Sequence, residues 1–137
     1  MRPAVLRVYL LLMGAGLLAQ GGLSLALRAT GVLGARDNGL VTGDVAHATI
    51  HVLWGVALLV VALRGSDLDR RATALVFGVF FTGLAVLGSV VHDPFGLMLG
   101  RDQNVFHWLI GPITLALGLL GRPGEDTGRS VPEAGRT

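Results

Sequence analysis

Residues 45–63 read VAHATIHVLWGVALLVVAL, and this stretch sets the pattern for the whole chain. It contains no Asp, Glu, Lys or Arg, and its two histidines fall near its start. An α-helix needs about 20 apolar residues to cross a hydrocarbon layer of about 30 Å. Three further apolar stretches lie at 5–27, 72–91 and 104–120, and the only charged residue in them is Arg7, near the start of the first. The sequence therefore predicts an all-α integral membrane bundle of four helices in up-down-up-down order, with residues 1–120 as its transmembrane domain.

The composition excludes several classes of protein. The chain has 137 residues, of which 52% are hydrophobic and only 15% charged, and these are not the proportions of a soluble globule. The formal net charge of +2 is too small for a nucleic-acid-binding surface. Cysteine is absent, which rules out disulfides, thiolate nucleophiles and cysteine-based metal sites. The expected partner is the lipid bilayer and not nucleic acid, while a homo-oligomer or a larger membrane complex stays open.

The two ends of the chain differ in character. Residues 121–137 are rich in Gly, Pro, Arg, Glu, Ser and Thr and lack periodicity, which predicts a disordered tail. A cleaved signal peptide is an alternative interpretation of the first apolar stretch, but that stretch is long for a signal core.

The distribution of arginine predicts the orientation in the membrane. Eight arginines flank the helix ends on the side of the termini and of the turn at 64–71, whereas three flank the opposite ends. Because positive charge is retained in the cytoplasm, both termini should be cytoplasmic and the histidines should lie in the extracytoplasmic half. A bacterial inner membrane is the expected location of this multi-pass protein.

The second and fourth stretches resemble each other. Residues 51–55 read HVLWG and residues 107–111 read HWLIG, so each segment places a histidine and a glycine four residues apart on one helix face. Two similar helical hairpins, formed by stretches one and two and by stretches three and four, would explain this internal repeat. Chance similarity between apolar segments is the alternative.

The segments HATIHVLWG at 47–55 and DQNVFHWLIG at 102–111 also resemble the two signatures of a bacterial four-helix membrane family called domain of unknown function 4383. The resemblance would cover residues 5–120 and implies the same fold. Ala48 stands where an asparagine often follows the first histidine in that family. No established activity belongs to the family, so the resemblance implies nothing about mechanism.

Polar side chains from all four stretches should meet at one depth. Ionisable groups inside membrane helices are costly, so they normally face the bundle interior, form pairs or line an aqueous path. The candidates for a ligand site or a polar network are Gln20, His47, His51, Ser89, His92, Asp93, Asn104 and His107.

Three interpretations of these residues remain open. In the first, His51 and His107 donate or accept hydrogen bonds across the bundle and fix the helix register. In the second, His47, His51 and His107, with Asp44 as a fourth ligand, bind a divalent metal ion, or else His51 and His107 bind a haem iron from two sides for a redox role. In the third, the histidines form a pH-sensing or proton-coupled element.

Transport and catalysis are both disfavoured. The middle of the predicted bundle has no ionisable residue, so a proton path across the membrane lacks intermediate sites. No nucleophile, base and orienting group occur together in the sequence. The expected function is that of a small non-enzymatic membrane protein whose histidine cluster fixes helix packing or binds a small ligand.

Overall fold

The computed structural model describes residues 3–91 and 93–121, and its regular elements are four long helices and one short turn of 3₁₀-helix at Pro94–Gly96. The four helices are α1 at Pro3–Ala29, α2 at Val45–Arg64, α3 at Asp67–Val90 and α4 at Arg101–Leu120. Helices α1 and α2 pack as one hairpin, and α3 and α4 as a second. The predicted four-helix up-down-up-down fold is confirmed. The predicted site residue His92 and the predicted tail after Gly121 lie outside the described residues.

Polar and apolar side chains are distributed as expected for a bilayer. All four helices are long and apolar enough to cross a membrane. Large apolar side chains such as Leu12 and Val79 face outward, whereas a set of polar side chains is buried. The buried polar residues are Ser24, Thr42, His47, His51, Gln103, His107 and Thr114. An apolar exterior around a partly polar interior points to contact between these helices and lipid.

Glycine brings the two helices of each hairpin close together. A Cβ atom added to Gly55 of α2 would lie 2.6 Å from the backbone nitrogen of Leu18 in α1, and one added to Gly111 of α4 would lie 2.5 Å from that of Thr82 in α3. Neither position has room for a side chain, so the helix backbones touch, as is common in membranes. The two hairpins use glycine alike, although the internal repeat itself stays a prediction.

Helix α3 begins earlier than expected. The apolar pattern predicts a start at position 72, but the helix begins at Asp67 because Ser66 caps it. The Oγ of Ser66 accepts a hydrogen bond from the backbone nitrogen of Asp69 at 3.2 Å, and the Asp69 carboxylate accepts one from the backbone nitrogen of Ser66 at 2.9 Å. This reciprocal capping box turns most of the predicted polar turn into helix. Only Gly65 and Ser66 then connect α2 to α3.

Helix α4 also begins before its predicted start at position 104. Its first residue is Arg101, preceded by Gly100 in an extended conformation. The sequence predicts Asp102 or Asn104 as the cap of this helix, but no side chain caps this end and both residues lie inside the helix.

Both long connectors lie at the same end of the bundle, where they are tied to each other. The Oδ1 of Asn38, in the connector 30–44, accepts a hydrogen bond from the backbone nitrogen of Gly100 at 3.2 Å. The Oδ2 of Asp44 accepts one from the backbone nitrogen of Met98 at 3.0 Å. The histidines lie at this end, which we call the histidine end.

Candidate metal centre

Three imidazoles meet at the histidine end. His47 and His51 come from α2 and His107 from α4, and each is at most 1% exposed. One ring nitrogen from each lies within 4.8 Å of the others. The ring centroids are 4.6 Å apart for His47 and His51, 5.6 Å for His47 and His107, and 5.9 Å for His51 and His107. Helical spacing brings the first two together, whereas packing between the hairpins adds the third.

The two histidines of α2 face each other through their Nε2 atoms, which are 3.2 Å apart. In a protein without a metal, this separation is that of a hydrogen bond in which one ring donates to the other. Two nitrogens bound to the same tetrahedral zinc ion at about 2.0–2.1 Å are separated by about 3.3 Å. The pair is therefore already at the spacing that a shared metal ion requires.

Gln20 determines which nitrogen of His51 carries the proton. The Nε2 of Gln20 donates a hydrogen bond to the carbonyl oxygen of Leu40, so its Oε1 faces the Nδ1 of His51. An amide oxygen only accepts, and Nδ1 must therefore be the donor. The Nε2 of a neutral His51 then presents its lone pair to His47. Histidines that bind metals are typically oriented by such a hydrogen bond from the other ring nitrogen.

His107 has a different environment. Neither of its ring nitrogens has a hydrogen-bond partner among the described residues. The ring of Phe81 packs against it with centroids 5.2 Å apart. Leaving a buried polar group unsatisfied costs about 1–3 kcal/mol. The predicted hydrogen bonds across the bundle are thus formed by His51 and not by His107.

Asp44 is occupied as a helix cap. Its Oδ1 accepts hydrogen bonds from the backbone nitrogens of Ala46 at 2.9 Å and His47 at 3.2 Å, and its Oδ2 accepts the one from Met98. Among the His, Asp and Glu side chains of the described residues, the cluster of possible ligand atoms comprises the three histidines and not Asp44. Asp44 positions the start of α2, and through it His47, and the structure does not group it with the possible ligands.

Three other predicted site residues lie apart from the histidines. The Oγ of Ser89 accepts hydrogen bonds from the Nδ2 of Asn104 and the Nε1 of Trp108, both at 3.1 Å, and donates one to the carbonyl oxygen of Ala85 at 2.8 Å. Together with the exposed Asp93, these side chains line a cavity of about 500 Å³ between α3 and α4. The single pocket expected from the sequence is therefore divided into a buried histidine cluster and this second polar group.

Gln103, which is not among the site residues predicted from the sequence, is only 1% exposed. Its Nε2 donates a hydrogen bond to the carbonyl oxygen of Gly39 at 2.7 Å, while its Oε1 has no partner among the described residues. Gln103 precedes His107 by four residues, as His47 precedes His51. The four-residue spacing is the sequence feature that could have identified Gln103 as a site residue. A single glutamine in an apolar stretch, however, is a less specific indicator of a ligand site than a histidine.

Another polar contact joins the hairpins at the opposite end of the bundle. The hydroxyl of Tyr9 in α1 lies 2.5 Å from the Oγ1 of Thr114 in α4. Because Thr114 donates to the carbonyl oxygen of Ile110 at 2.6 Å, Tyr9 is the donor in this pair. The contact gives α1 and α4 a fixed register away from the histidines.

The donor set indicates which ligands the cluster could hold. Imidazole nitrogens suit late first-row ions such as Zn²⁺, Cu²⁺ and Ni²⁺ better than Mg²⁺ or Ca²⁺, which prefer oxygen. Haem fits poorly. If His51 and His107 held an iron between them, the ring of His47, whose centroid is 4.6 Å and 5.6 Å from theirs, would occupy the space beside the iron that the macrocycle needs.

Comparison of the chain with known protein families, with curated proteins and with solved structures found no match. The resemblance to the four-helix membrane family named above therefore stays a prediction.

Proposed function

We propose that this protein is a small non-enzymatic membrane protein that binds one divalent transition-metal ion, with Zn²⁺ the first candidate, through His47, His51 and His107. The observation that carries the proposal is the convergence of three buried imidazoles, each with a ring nitrogen within 4.8 Å of the others. The centre would lie in the extracytoplasmic half of a bacterial inner membrane, with both termini in the cytoplasm.

The state of the three side chains supports a metal ion. His51 has its outer nitrogen committed to Gln20 and its inner nitrogen facing the cluster. His107 is fully buried and has no hydrogen-bond partner among the described residues. A metal ion in the cluster would bind the Nε2 of His51 and one ring nitrogen of His107, and would so give one of the two unsatisfied nitrogens of His107 a partner.

A hydrogen-bonded network without a metal is the second candidate. The chain of contacts from Leu40 through Gln20 and His51 to His47 favours it, since these hydrogen bonds join the first connector, α1 and α2 without a metal ion. Interhelical hydrogen bonds in membranes contribute only about 0.6 kcal/mol each on average, so such a network would specify alignment more than stability. It gives His107 no role.

The test is metal analysis of the full chain purified in detergent and incubated with Zn²⁺. We expect one ion per chain, and we expect His107→Ala to abolish stoichiometric binding. At a free concentration 100 times the dissociation constant, Zn²⁺ should stabilise the wild type by about 2.7 kcal/mol and leave His107→Ala unaffected.

The matched control is Ser89→Ala, which alters a polar residue at the same end of the bundle but outside the histidine cluster, and it should bind Zn²⁺ as the wild type does. A wild type that retains no stoichiometric Zn²⁺, Cu²⁺ or Ni²⁺, together with lower thermal stability of His51→Ala, which removes the contacts with Gln20 and His47, would favour the hydrogen-bonded network.

A further inference from the structure

We infer that Gln103 completes the metal centre and that its carboxamide oxygen is the fourth ligand of the ion. The inference rests on the function proposed above. The ion would then be held by two facing pairs, His47 with His51 on α2 and Gln103 with His107 on α4. The hydrogen bond to Gly39 uses only the Nε2 of this buried amide, so the buried Oε1 still lacks a partner among the described residues.

The first argument is the equivalence of the two pairs. In each helix the two polar residues are four positions apart, which places both on one face. In each helix a glycine follows the second residue of the pair after four more residues and touches the partner helix of its own hairpin. Gln103 therefore occupies the position in α4 that His47 occupies in α2, and His47 is one of the three clustered histidines.

The second argument is the orientation of the amide. The Nε2 of Gln103 donates to the carbonyl oxygen of Gly39, and exchanging the two amide atoms would set two acceptors against each other. The Oε1 is therefore not the amide atom that contacts Gly39. It is buried without a partner among the described residues, as are both ring nitrogens of His107 one turn further along α4. One bound ion would take up the Oε1 of Gln103 and one ring nitrogen of His107.

The third argument concerns the chemistry of the completed set. Three imidazoles and one carboxamide make a four-coordinate site in which every ligand is neutral, and four ligands are what zinc takes in closed sites. An amide oxygen is a harder and weaker donor to Zn²⁺ than imidazole nitrogen. The centre should therefore bind Zn²⁺ more weakly than a site with four histidines, and replacing Gln103 by histidine should strengthen it.

The experiment compares Zn²⁺ affinity, by competition with a chromophoric chelator, and the visible spectrum of the Co²⁺-loaded protein, using the full chain in detergent. Substitutions outside a coordination sphere already cost about 10- to 100-fold in affinity, so Gln103→Leu should lose at least about tenfold. Gln103→His should bind Zn²⁺ more tightly than the wild type and should shift the Co²⁺ spectrum. Asn104→Leu, which changes the neighbouring amide that binds Ser89, is the control and should change neither property.

The outcomes separate this inference from the proposed function. If the wild type and both Gln103 variants bind Zn²⁺ equally and give the same Co²⁺ spectrum, the three-histidine site stands and the fourth ligand is wrong. If both variants weaken binding to the same extent, Gln103 acts only by holding Gly39, and the inference is also wrong. A wild type that binds no metal ion overturns both proposals.

Discussion

The amide of Gln20 makes two contacts at the histidine end, and each of its two polar atoms has a different partner. One atom of its amide holds the connector through Leu40, and the other fixes the proton on the Nδ1 of His51. The inner nitrogen of His51 is thereby kept free as an acceptor or a ligand. A glutamine on α1 thus controls the chemistry of a histidine on α2.

Substitution of Gln20 tests this control. Gln20→Leu removes the acceptor for His51, so the affinity for Zn²⁺ should fall by about 10- to 100-fold. Gln20→Glu keeps an acceptor for His51 and loses only the donor to Leu40, so its Zn²⁺ affinity should equal or exceed that of the wild type. Isothermal titration of the detergent-purified variants measures both. Equal losses in the two variants would mean that the contact with Leu40, and not the one with His51, is what the site needs.

At the scale of the helices, the bundle consists of two hairpins in which glycine allows close backbone contact, and of a wider interface between the hairpins. Within the hairpins the backbones touch at Gly55 and Gly111. Between them the space is filled by large side chains, including Phe77, Phe81 and the histidines. Polar groups can meet in this interface because it is wide enough to hold imidazole rings.

Two glycine substitutions compare close packing with simple helix propensity. In Gly55→Ala the new Cβ would meet the backbone of Leu18 at 2.6 Å, so α1 and α2 must move apart. Overpacking of this kind costs about 1–3 kcal/mol. Gly16→Ala is the control, since nothing lies within 4 Å of a Cβ at that position. Thermal unfolding in detergent should show a lower Tm for the first variant and an unchanged or higher Tm for the second, and equal shifts would contradict the close contact.

For the whole molecule, both long connectors and the histidines share one end, while the two-residue link between α2 and α3 lies at the other. The arginine distribution predicts that this link faces the cytoplasm. On that basis the metal centre would exchange with the compartment outside the cytoplasm, beneath the connector 30–44.

The absence of cysteine allows a clean test of this orientation. Val32→Cys in the first connector and Leu68→Cys at the start of α3 change no charge, and the two native side chains are similarly exposed, at 68% and 65%. In intact bacteria that express each variant, a membrane-impermeant maleimide should label Val32→Cys, whereas Leu68→Cys should react only after permeabilisation. The reverse pattern would invert the proposed orientation.

Hydropathy and helical periodicity were sufficient to predict four helices, their order and the pairing of His47 with His51. These are local properties, because side chains four residues apart share a helix face wherever the helix is placed. Helix starts were less predictable, since the cap at Ser66 depends on a reciprocal contact with Asp69.

The composition of the site depended on contacts between distant segments. The orientation of α4 relative to α2 places His107 in the cluster. Asn104, on the same helix, donates a hydrogen bond to Ser89 instead and lies outside the cluster. In the same way, the connector 30–44 orients Gln20 and Gln103 through the carbonyl oxygens of Leu40 and Gly39. Apolar stretches of Leu, Val, Ala and Gly serve equally well against lipid and against protein, so hydropathy carries no information on which face turns inward. Packing between the hairpins supplies that information.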